Sequence, residues 1–243
     1  ELDGLNDSID KSAEKLSGAR EYQKELLANV SHDLRTPLTM IKGYAEMVRD
    51  ISWQDEAQRE KDTGIIIKEA DRLSLLVNEI LEYSRLQHEN PAGNFEEVDL
   101  GGIALETAGS FEPLFRAEGG VIEKNISGSC IVKGDRQMLE RLIYNLTDNA
   151  IRHSGKDKRI IISVVRDTGK ILLEVRDFGE GIDEAELPHI WEKYYTSRMR
   201  KGTGASGLGL AIVKRIADIH EASCSVRSQK GEGSCFRVEF KLL

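Results

Sequence analysis

The stretch NVSHDLRTPLTMIKGY, residues 29–44, predicts a helix with one apolar face. Apolar residues recur along it at steps of three and four, the spacing of a single helix face: Val30, Leu34, Leu38 and Ile41. At about 100° per residue, His32 falls on the opposite side, which faces solvent. A surface histidine beside Asp33 is either an ordinary solvated residue or a reactive group, and the rest of the chain must decide between the two.

The helical pattern extends in both directions from this stretch. Residues 1–20 carry an imperfect heptad repeat, which is typical of a helix that pairs with another helix. After a polar break around DISWQDEAQ, residues 50–58, a second periodic stretch runs from Ile66 to Ser84. Two amphipathic helices with a short connection predict an antiparallel hairpin, and one hairpin alone buries its apolar seam poorly. We therefore predict that residues 21–90 dimerise into a four-helix bundle.

The segment HENPAGNFEEVDL, residues 88–100, contains the proline and glycine that are typical of a linker. We place the linker at residues 91–98 and a second domain at residues 99–243. Helix-like patterns in that domain lie at 102–117, 135–153 and 208–219. Between and after them, the β-rich runs RIIISVV and KILLEVRD and a final hairpin follow each other closely. This order predicts an α+β sandwich with its helices on one face of a sheet.

The composition indicates a soluble chain of more than one domain. Its 243 residues exceed the usual domain size of about 100–150 residues, and no apolar run approaches the roughly 20 residues of a membrane helix. The net charge of −8 disfavours nucleic-acid binding, which needs basic surface. The three cysteines lack metal-site spacing and are expected to be reduced thiols. The chain begins without a secretory signal, and we expect it to be a fragment of a longer protein.

The segment NLTDNAIRHS, residues 145–154, places Asn145 and Asn149 one turn apart on a predicted helix, with Arg152 and His153 on neighbouring faces. Asparagine is unusual inside helices because its side chain competes for backbone hydrogen bonds. The pair is either an exposed polar face or a site where an amide oxygen helps to hold Mg²⁺ beside a substrate phosphate.

Two glycine-rich segments lie between the predicted strand KILLEVRD and the last predicted helix, and the second of them runs into that helix. DFGEGI, residues 177–182, follows a strand directly, so that Asp177 lies where the chain enters a glycine turn. KGTGASGLGLAIVKRI, residues 201–216, runs from a glycine loop into a helix, with cations just upstream, and this arrangement suits a phosphate group. Each segment is also compatible with a plain turn or a flexible loop. Neither a dinucleotide nor a P-loop fingerprint occurs.

Five segments in this order resemble the boxes of the two-component sensor histidine kinases: SHDLRTPL (31–38), NLTDNAIRHS (145–154), DFGEGI (177–182), IWEKYY (190–195) and GTGASGLGLAIVKRI (202–216). The resemblance extends from about Lys24 to the C-terminus, and residues 1–20 are similar to the last helix of a signal-relay module. It implies a phosphoacceptor hairpin followed by an α/β sandwich ATP-binding domain of the gyrase, chaperone and histidine-kinase type.

In the phosphoacceptor box, the resemblance implies that His32 receives the γ-phosphoryl group of ATP. Asp33 suits the role of orienting the imidazole and stabilising its cation. Thr36 lies one turn along the same face and is similar to the residue that positions water for dephosphorylation of a response regulator.

In the second domain, the resemblance assigns Asn149 to Mg²⁺, Asn145 to a supporting role, Asp177 to the adenine amino group and the glycine loop to a lid. The full set of nucleotide-binding residues is Asn145, Asn149, Arg152, His153, Asp177, Gly179, Gly181, Tyr194, Lys201, Gly202, Gly204, Ser206, Gly207, Leu208 and Gly209. Two departures from the family pattern are His153, where many members have an aromatic residue, and the lack of an Arg-x-Asp after the aromatic box. Whether Arg198, Arg200 or Lys201 contacts the phosphates therefore stays open.

The sequence thus predicts an autophosphorylating protein-histidine kinase that uses ATP and Mg²⁺ and transfers phosphate to a response regulator receiver domain. The predicted protein is a homodimer that binds no nucleic acid and forms the cytoplasmic portion of a bacterial membrane sensor. Two alternatives are a non-catalytic dimeric signalling scaffold and an ATPase of the gyrase and chaperone group. The His32-Asp33 box argues against both, because neither needs it.

Overall fold

The computed structural model describes residue 31 and residues 34–88, 94–195 and 207–242. The chain divides into two compact units, Glu1–Asn78 and Glu79–Leu243. The predicted relay segment, residues 1–20, lies outside the described residues.

The first unit contains the predicted pair of helices. Helix α1 spans residues 34–50, and helix α2, Glu56–His88, starts after a five-residue connection at the predicted polar break. The buried carboxylate of Asp62 stabilises this connection, because it accepts hydrogen bonds from Ser52 Oγ (2.8 Å) and Gln58 Nε2 (2.9 Å). A buried carboxylate is tolerated when both of its oxygens are bonded in this way.

The apolar faces of this unit are only partly covered within a single chain. Leu38, which belongs to the predicted buried stripe, is 51% exposed, and Leu34 and Ile41 are half-buried. On α2, Ile67 and Leu75 are 57% and 59% exposed. An exposed apolar surface of this kind is typical of a helical hairpin that packs against further helices.

The second unit combines three helices with two sheets. The helices are α3 (Leu100–Ala117), α4 (Arg136–His153) and α5 (Gly209–Ile219). The strands are β1 (Glu96–Asp99), β2 (Val121–Ser127), β3 (Ile131–Gly134), β4 (Arg159–Asp167), β5 (Lys170–Asp177), β6 (Ser223–Gln229) and β7 (Gly233–Lys241). The larger sheet has the order β2-β4-β5-β7-β6, with β2 and β4 parallel and the other pairs antiparallel.

Strand alternation places the core on one face of the larger sheet. On β4, β5 and β7, every second side chain is buried against the helices: Ile160, Ile162, Val164, Ile171, Leu173, Val175, Phe236, Val238 and Phe240. The intervening residues form the other face, where Arg237 pairs with Glu174 at 2.6 Å. This arrangement confirms the predicted α+β sandwich.

The predicted linker, residues 91–98, extends too far. Its last residues belong to β1, which pairs antiparallel with β3 through the partners Val98 and Val132. Val98 is buried, but a strand of four residues with a single apolar side chain shows no alternation that a sequence pattern can detect. Asp99 then caps α3 by accepting from the Gly101 N–H, so this helix begins two residues before the predicted start.

The last residues of α2 pack with the second compact unit, which begins at Glu79. Tyr83 and Leu86 are each only 5% exposed and join the core of that unit. Glu82 pairs with Arg141 on α4 at 2.7 Å, and Arg215 Nε of α5 donates to the Leu86 carbonyl at 3.0 Å.

His220 connects the end of α5 to the start of α4. Its Nδ1 lies 2.8 Å from the Ile216 carbonyl, and its Nε2 accepts from the backbone N–H of Asp135 at 3.1 Å. These partners fit the neutral ring protonated at Nδ1, which also stacks on Phe95 with the ring centroids 4.8 Å apart. Burial lowers the pKa of His220.

We expect this histidine to make the fold less stable in mild acid. Because its pKa is lower in the folded state, the unfolded chain takes up a proton as the pH falls below the ordinary histidine value. Stability is therefore full above that value and is lost as the pH falls to the folded pKa, by at most about 1.4 kcal/mol per pH unit. Urea unfolding between pH 8 and pH 5, compared with His220→Gln, measures this contribution. Equal pH slopes in the two proteins would contradict it.

Candidate nucleotide-binding site

Asp177 lies at the end of β5, and the residue is 1% exposed. Its Oδ1 accepts from the backbone N–H groups of Gly179 (3.0 Å) and Ser234 (3.3 Å). Its Oδ2 is buried and has no hydrogen-bond partner among the residues that the structure describes. Burial raises the pKa of Asp177, and the hydrogen bonds from Gly179 and Ser234 oppose that increase. Among the described residues, this carboxylate therefore keeps one strong acceptor without a donor.

The loop after Asp177 packs backbone against backbone. A Cβ atom on Gly179 would lie 1.6 Å from the carbonyl oxygen of His153, at the end of α4. Gly181 has a φ of +67°, and a Cβ there would lie 2.1 Å from the carbonyl oxygen of Gln229. Both glycines are therefore required by close approach, which the DFGEGI pattern predicted only as one of two possibilities.

Substitution of Gly179 by alanine should remove the site. The added methyl overlaps a backbone carbonyl that cannot rotate away, so the loop or the end of α4 must shift. We expect a loss of stability of roughly 2–4 kcal/mol and loss of nucleotide binding. Thermal unfolding and titration with ATP measure both effects. The control is Gly109→Ala. Gly109 is an exposed residue of α3, nothing lies within 4 Å of the new Cβ, and the substitution should be neutral or stabilising.

The two asparagines of α4 differ in environment. Asn145 is 8% exposed, and its buried Nδ2 has no partner among the described residues. Asn149 is half-buried one turn further on. An exposed polar face, the alternative reading of this pair, is therefore wrong for Asn145.

The basic residues at the end of α4 lie nearer to the surface. The exposed Arg152 pairs with Asp148 on its own helix at 2.7 Å. His153 Nδ1 lies 3.9 Å from Glu180 Oε1, and the His153 backbone contacts Gly179. The structure thus brings His153 to the Asp177 loop, whereas the guanidinium of Arg152 is bound by its own helix.

Tyr194 and Gly207 meet at the start of α5. The Tyr194 N–H donates to the Gly207 carbonyl at 3.0 Å, and Gly207 has a φ of +69° with no room for a Cβ beside Tyr194. Leu208 is fully buried, and α5 begins at Gly209.

Several predicted residues lie outside the described part of the chain, and their roles stay predictions: Arg198, Arg200, Lys201, Gly202, Gly204, Ser206, His32 and Asp33. Thr36 is described and exposed.

Sequence reasoning missed Ser228 and Ser234. Ser234 is 5% exposed and donates its N–H to Asp177, and Ser228 Oγ accepts from the Ile182 N–H at 2.8 Å. The sequence signal at these positions is the stretch SQKGEGS, residues 228–234, which predicts only a hairpin turn.

Two family models match the chain. The model described as "Histidine kinase-, DNA gyrase B-, and HSP90-like ATPase" matches residues 134–243, and the model described as "His Kinase A (phospho-acceptor) domain" matches residues 22–89. A phospho-acceptor domain followed by this ATPase domain is the order that the motifs predicted. The chain belongs to the two-component sensor histidine kinases.

Similar proteins support the same family assignment. Sensor histidine kinase YkoH of Bacillus subtilis is 30% identical over 243 residues, which cover 99% of this chain and 52% of YkoH. Sensor protein SphS of Synechococcus elongatus is 34% identical over 235 residues, which cover 92% of this chain and 55% of SphS. The chain thus spans about half the length of these relatives.

Solved structures show the same fold. Histidine kinase ThkA, in complex with response regulator protein TrrA, matches with a TM-score of 0.72 and 26% identity, over 89% of this chain and 61% of ThkA. Histidine kinase AdeS of Acinetobacter baumannii matches with a TM-score of 0.68 and 24% identity, over 86% of this chain and 97% of AdeS. Among the described residues, no helix has the length and apolar character needed to cross a membrane.

Proposed function

We propose that the kinase transfers the γ-phosphoryl group of ATP to His32 and then passes it to an aspartate of a response regulator receiver domain. One observation carries the proposal: the buried acceptor Asp177 Oδ2 has no partner among the described residues, in a domain that follows a phospho-acceptor domain in the same chain.

The adenine ring fits this acceptor by its chemistry. Its exocyclic amine is a donor, and a buried carboxylate oxygen that lacks a donor gains most from such a partner. The unpaired Nδ2 of Asn145 is a donor that suits an acceptor on the nucleotide. Both unpaired atoms belong to residues that the family resemblance assigns to the nucleotide.

The side chains are also compatible with Mg²⁺ held mainly by the nucleotide. Among the described residues, no three His, Cys, Asp or Glu side chains converge on one point. Mg²⁺ commonly takes one or two protein ligands and completes its shell with phosphate and water. We propose that the amide oxygen of Asn149 is such a ligand, and that the ion neutralises phosphate charge when it is bound.

His32 has the chemistry that the reaction requires. A neutral imidazole nitrogen attacks the γ-phosphorus, a nitrogen–phosphorus bond forms, and the bond to the ADP oxygen breaks. Asp33 would accept the proton on the other ring nitrogen in a hydrogen bond and stabilise the positive charge.

The exposed apolar residues of the hairpin support a homodimer. Leu38, Ile67 and Leu75 are each more than half exposed in the single chain, and a second copy of the hairpin would cover them in a four-helix bundle.

Because the sensor relatives are about twice as long as this chain and come from bacteria, we propose that it is the cytoplasmic portion of a membrane sensor.

Incubation with γ-labelled ATP and Mg²⁺, followed by addition of a purified receiver domain, tests this function. Label should appear on the kinase in an acid-labile, base-stable form and then move to the receiver. A non-catalytic scaffold would acquire no label, and an ATPase of the gyrase and chaperone group would release phosphate without becoming labelled. Either result would overturn the proposal.

Thr36 should separate dephosphorylation from autophosphorylation. We propose that its exposed hydroxyl positions water against the phosphorylated regulator, whereas the attack of His32 on ATP needs only a nucleophile and an orienting base. In Thr36→Ala, regulator dephosphorylation should fall roughly tenfold or more, within the range of one general-base contribution, while autophosphorylation changes little. Alanine is the better helix former, so a folding defect is not expected. Equal losses of both rates would contradict this role.

A further inference from the structure

Phe178 carries the only apolar side chain between Asp177 and Ile182, in a loop that otherwise consists of two glycines and a glutamate. Asp177 is the last residue of β5 that pairs with β4, where it lies opposite Ile160. Both of these residues belong to the buried face of the sheet. Because side chains alternate along a strand, the next residue, Phe178, is expected on the outer face, away from the helices.

Two guanidinium groups lie over the Phe178 ring. The Cζ atom of Arg159, on β4, is 4.5 Å from the ring centroid, and the Cζ atom of Arg176, on β5, is 4.7 Å from it. A guanidinium within about 6 Å of an aromatic centroid is attracted by the negative face of the ring. Arg176 is an exposed residue of the outer face, so these contacts hold Phe178 on that face.

The neighbouring strand β2 fixes Arg159 in turn. Arg159 Nε donates to Glu123 Oε1 at 2.7 Å, and Arg159 Nη2 donates to Glu123 Oε2 at 3.1 Å. Two parallel bonds of this kind set the plane of the guanidinium as well as its place. A row of contacts therefore runs from Glu123 through Arg159 to Phe178, and ends beside Asp177.

The hydrogen bonds that hold the loop act further along the chain. The Gly231 N–H donates to the Glu180 carbonyl at 2.7 Å, and the Ile182 N–H donates to a serine of the β6–β7 turn at 2.8 Å. Glycine adds backbone freedom, and a glycine follows Phe178 directly. Phe178 is therefore the side chain that can orient the backbone immediately after Asp177.

We propose that Phe178 is a positioning residue of the nucleotide site. Held on the outer face by Arg159 and Arg176, it keeps the preceding side chain, Asp177, directed to the inner face, where Oδ2 accepts from the adenine amine. The inference rests on the proposed function, because it concerns the acceptor for adenine. Phe178 itself need not touch the nucleotide.

The test compares the binding of ATP with that of purine riboside triphosphate, which lacks the exocyclic amine, by calorimetry on the whole chain. Phe178→Leu keeps an apolar side chain but removes the aromatic face. It should weaken ATP binding roughly three- to tenfold, which corresponds to the loss of one or two exposed cation–π contacts. Binding of purine riboside triphosphate should be unchanged, because that base has no amine to donate to Asp177. A general loss of loop structure would weaken the binding of both nucleotides.

Three further variants separate positioning from a general structural effect. Phe178→Tyr keeps the aromatic face and should retain the preference for ATP. Arg176→Gln changes an exposed residue and should reduce that preference, but it should add little in a Phe178→Leu background, because both act through one contact. Phe111→Leu, which alters a half-buried ring on α3, should leave the preference unchanged.

An unchanged preference for ATP in Phe178→Leu or in Arg176→Gln, or an equal loss of affinity for both nucleotides, would overturn the role of Phe178 and leave the proposed function standing. If Phe178→Leu does not fold, Arg176→Gln decides between these results. Absence of saturable ATP binding by the unaltered chain would overturn both.

Discussion

Asp177→Asn should weaken ATP binding roughly a hundredfold without loss of stability. The amide oxygen of the variant can still accept from Gly179 and Ser234, which leaves its NH₂ group at the position of Oδ2. There a donor would face the adenine amine, another donor, and neither would be satisfied. The fold should be as stable as before or more stable at neutral pH, because burial disfavours the charged carboxylate.

A comparison of ATP binding with GTP binding provides a control for this prediction. Guanine carries an oxygen at the place of the adenine amine, and the NH₂ group of D177N can donate a hydrogen bond to that oxygen. The D177N variant should therefore bind GTP more tightly than the unaltered protein does. Calorimetric titration with ATP and GTP, together with urea unfolding, gives all the quantities needed. Unchanged ATP affinity in a folded D177N protein would show that the unpaired Oδ2 does not bind the base.

His32→Gln should abolish covalent labelling by γ-labelled ATP, with less than about 1% of the label remaining, because an amide nitrogen has no free lone pair with which to attack phosphorus. ATP binding should be unchanged, since His32 belongs to the phospho-acceptor match at residues 22–89 and Asp177 to the ATPase match at residues 134–243. The measurement is label per chain after separation from free nucleotide.

The matched control is His189→Gln. His189 is an exposed histidine whose Nδ1 lies 2.7 Å from Glu192 Oε1, and its loss should leave labelling intact. Label that persists in His32→Gln, or that survives acid treatment, would place the phosphoryl group on another residue.

Local patterns in the sequence predicted most of the architecture. The β-rich runs RIIISVV and KILLEVRD predicted two strands, which the structure forms as β4 and β5. The helix spacing around Asn145 predicted α4 to within a residue at its start. These features depend on neighbours a few residues apart, which is the range over which periodicity acts. The strand β1 departed from prediction because it depends on its pairing with β3, which is distant in sequence. Leu38 is exposed in the single chain, and its burial would require the second copy that we propose.

The sequence by itself determined the family and the order of the two domains, because these are carried by short motifs in a fixed order, and the family resemblance predicted Asp177 as the acceptor for adenine. Only the tertiary structure decided that Oδ1 of Asp177 is hydrogen-bonded and that Oδ2 has no partner among the described residues, since one of the donors to Oδ1, the Ser234 N–H, lies 57 residues away. It likewise assigned Tyr83 to the core of the second unit. Such contacts form between segments that the chain brings together only on folding, and no local spacing records them.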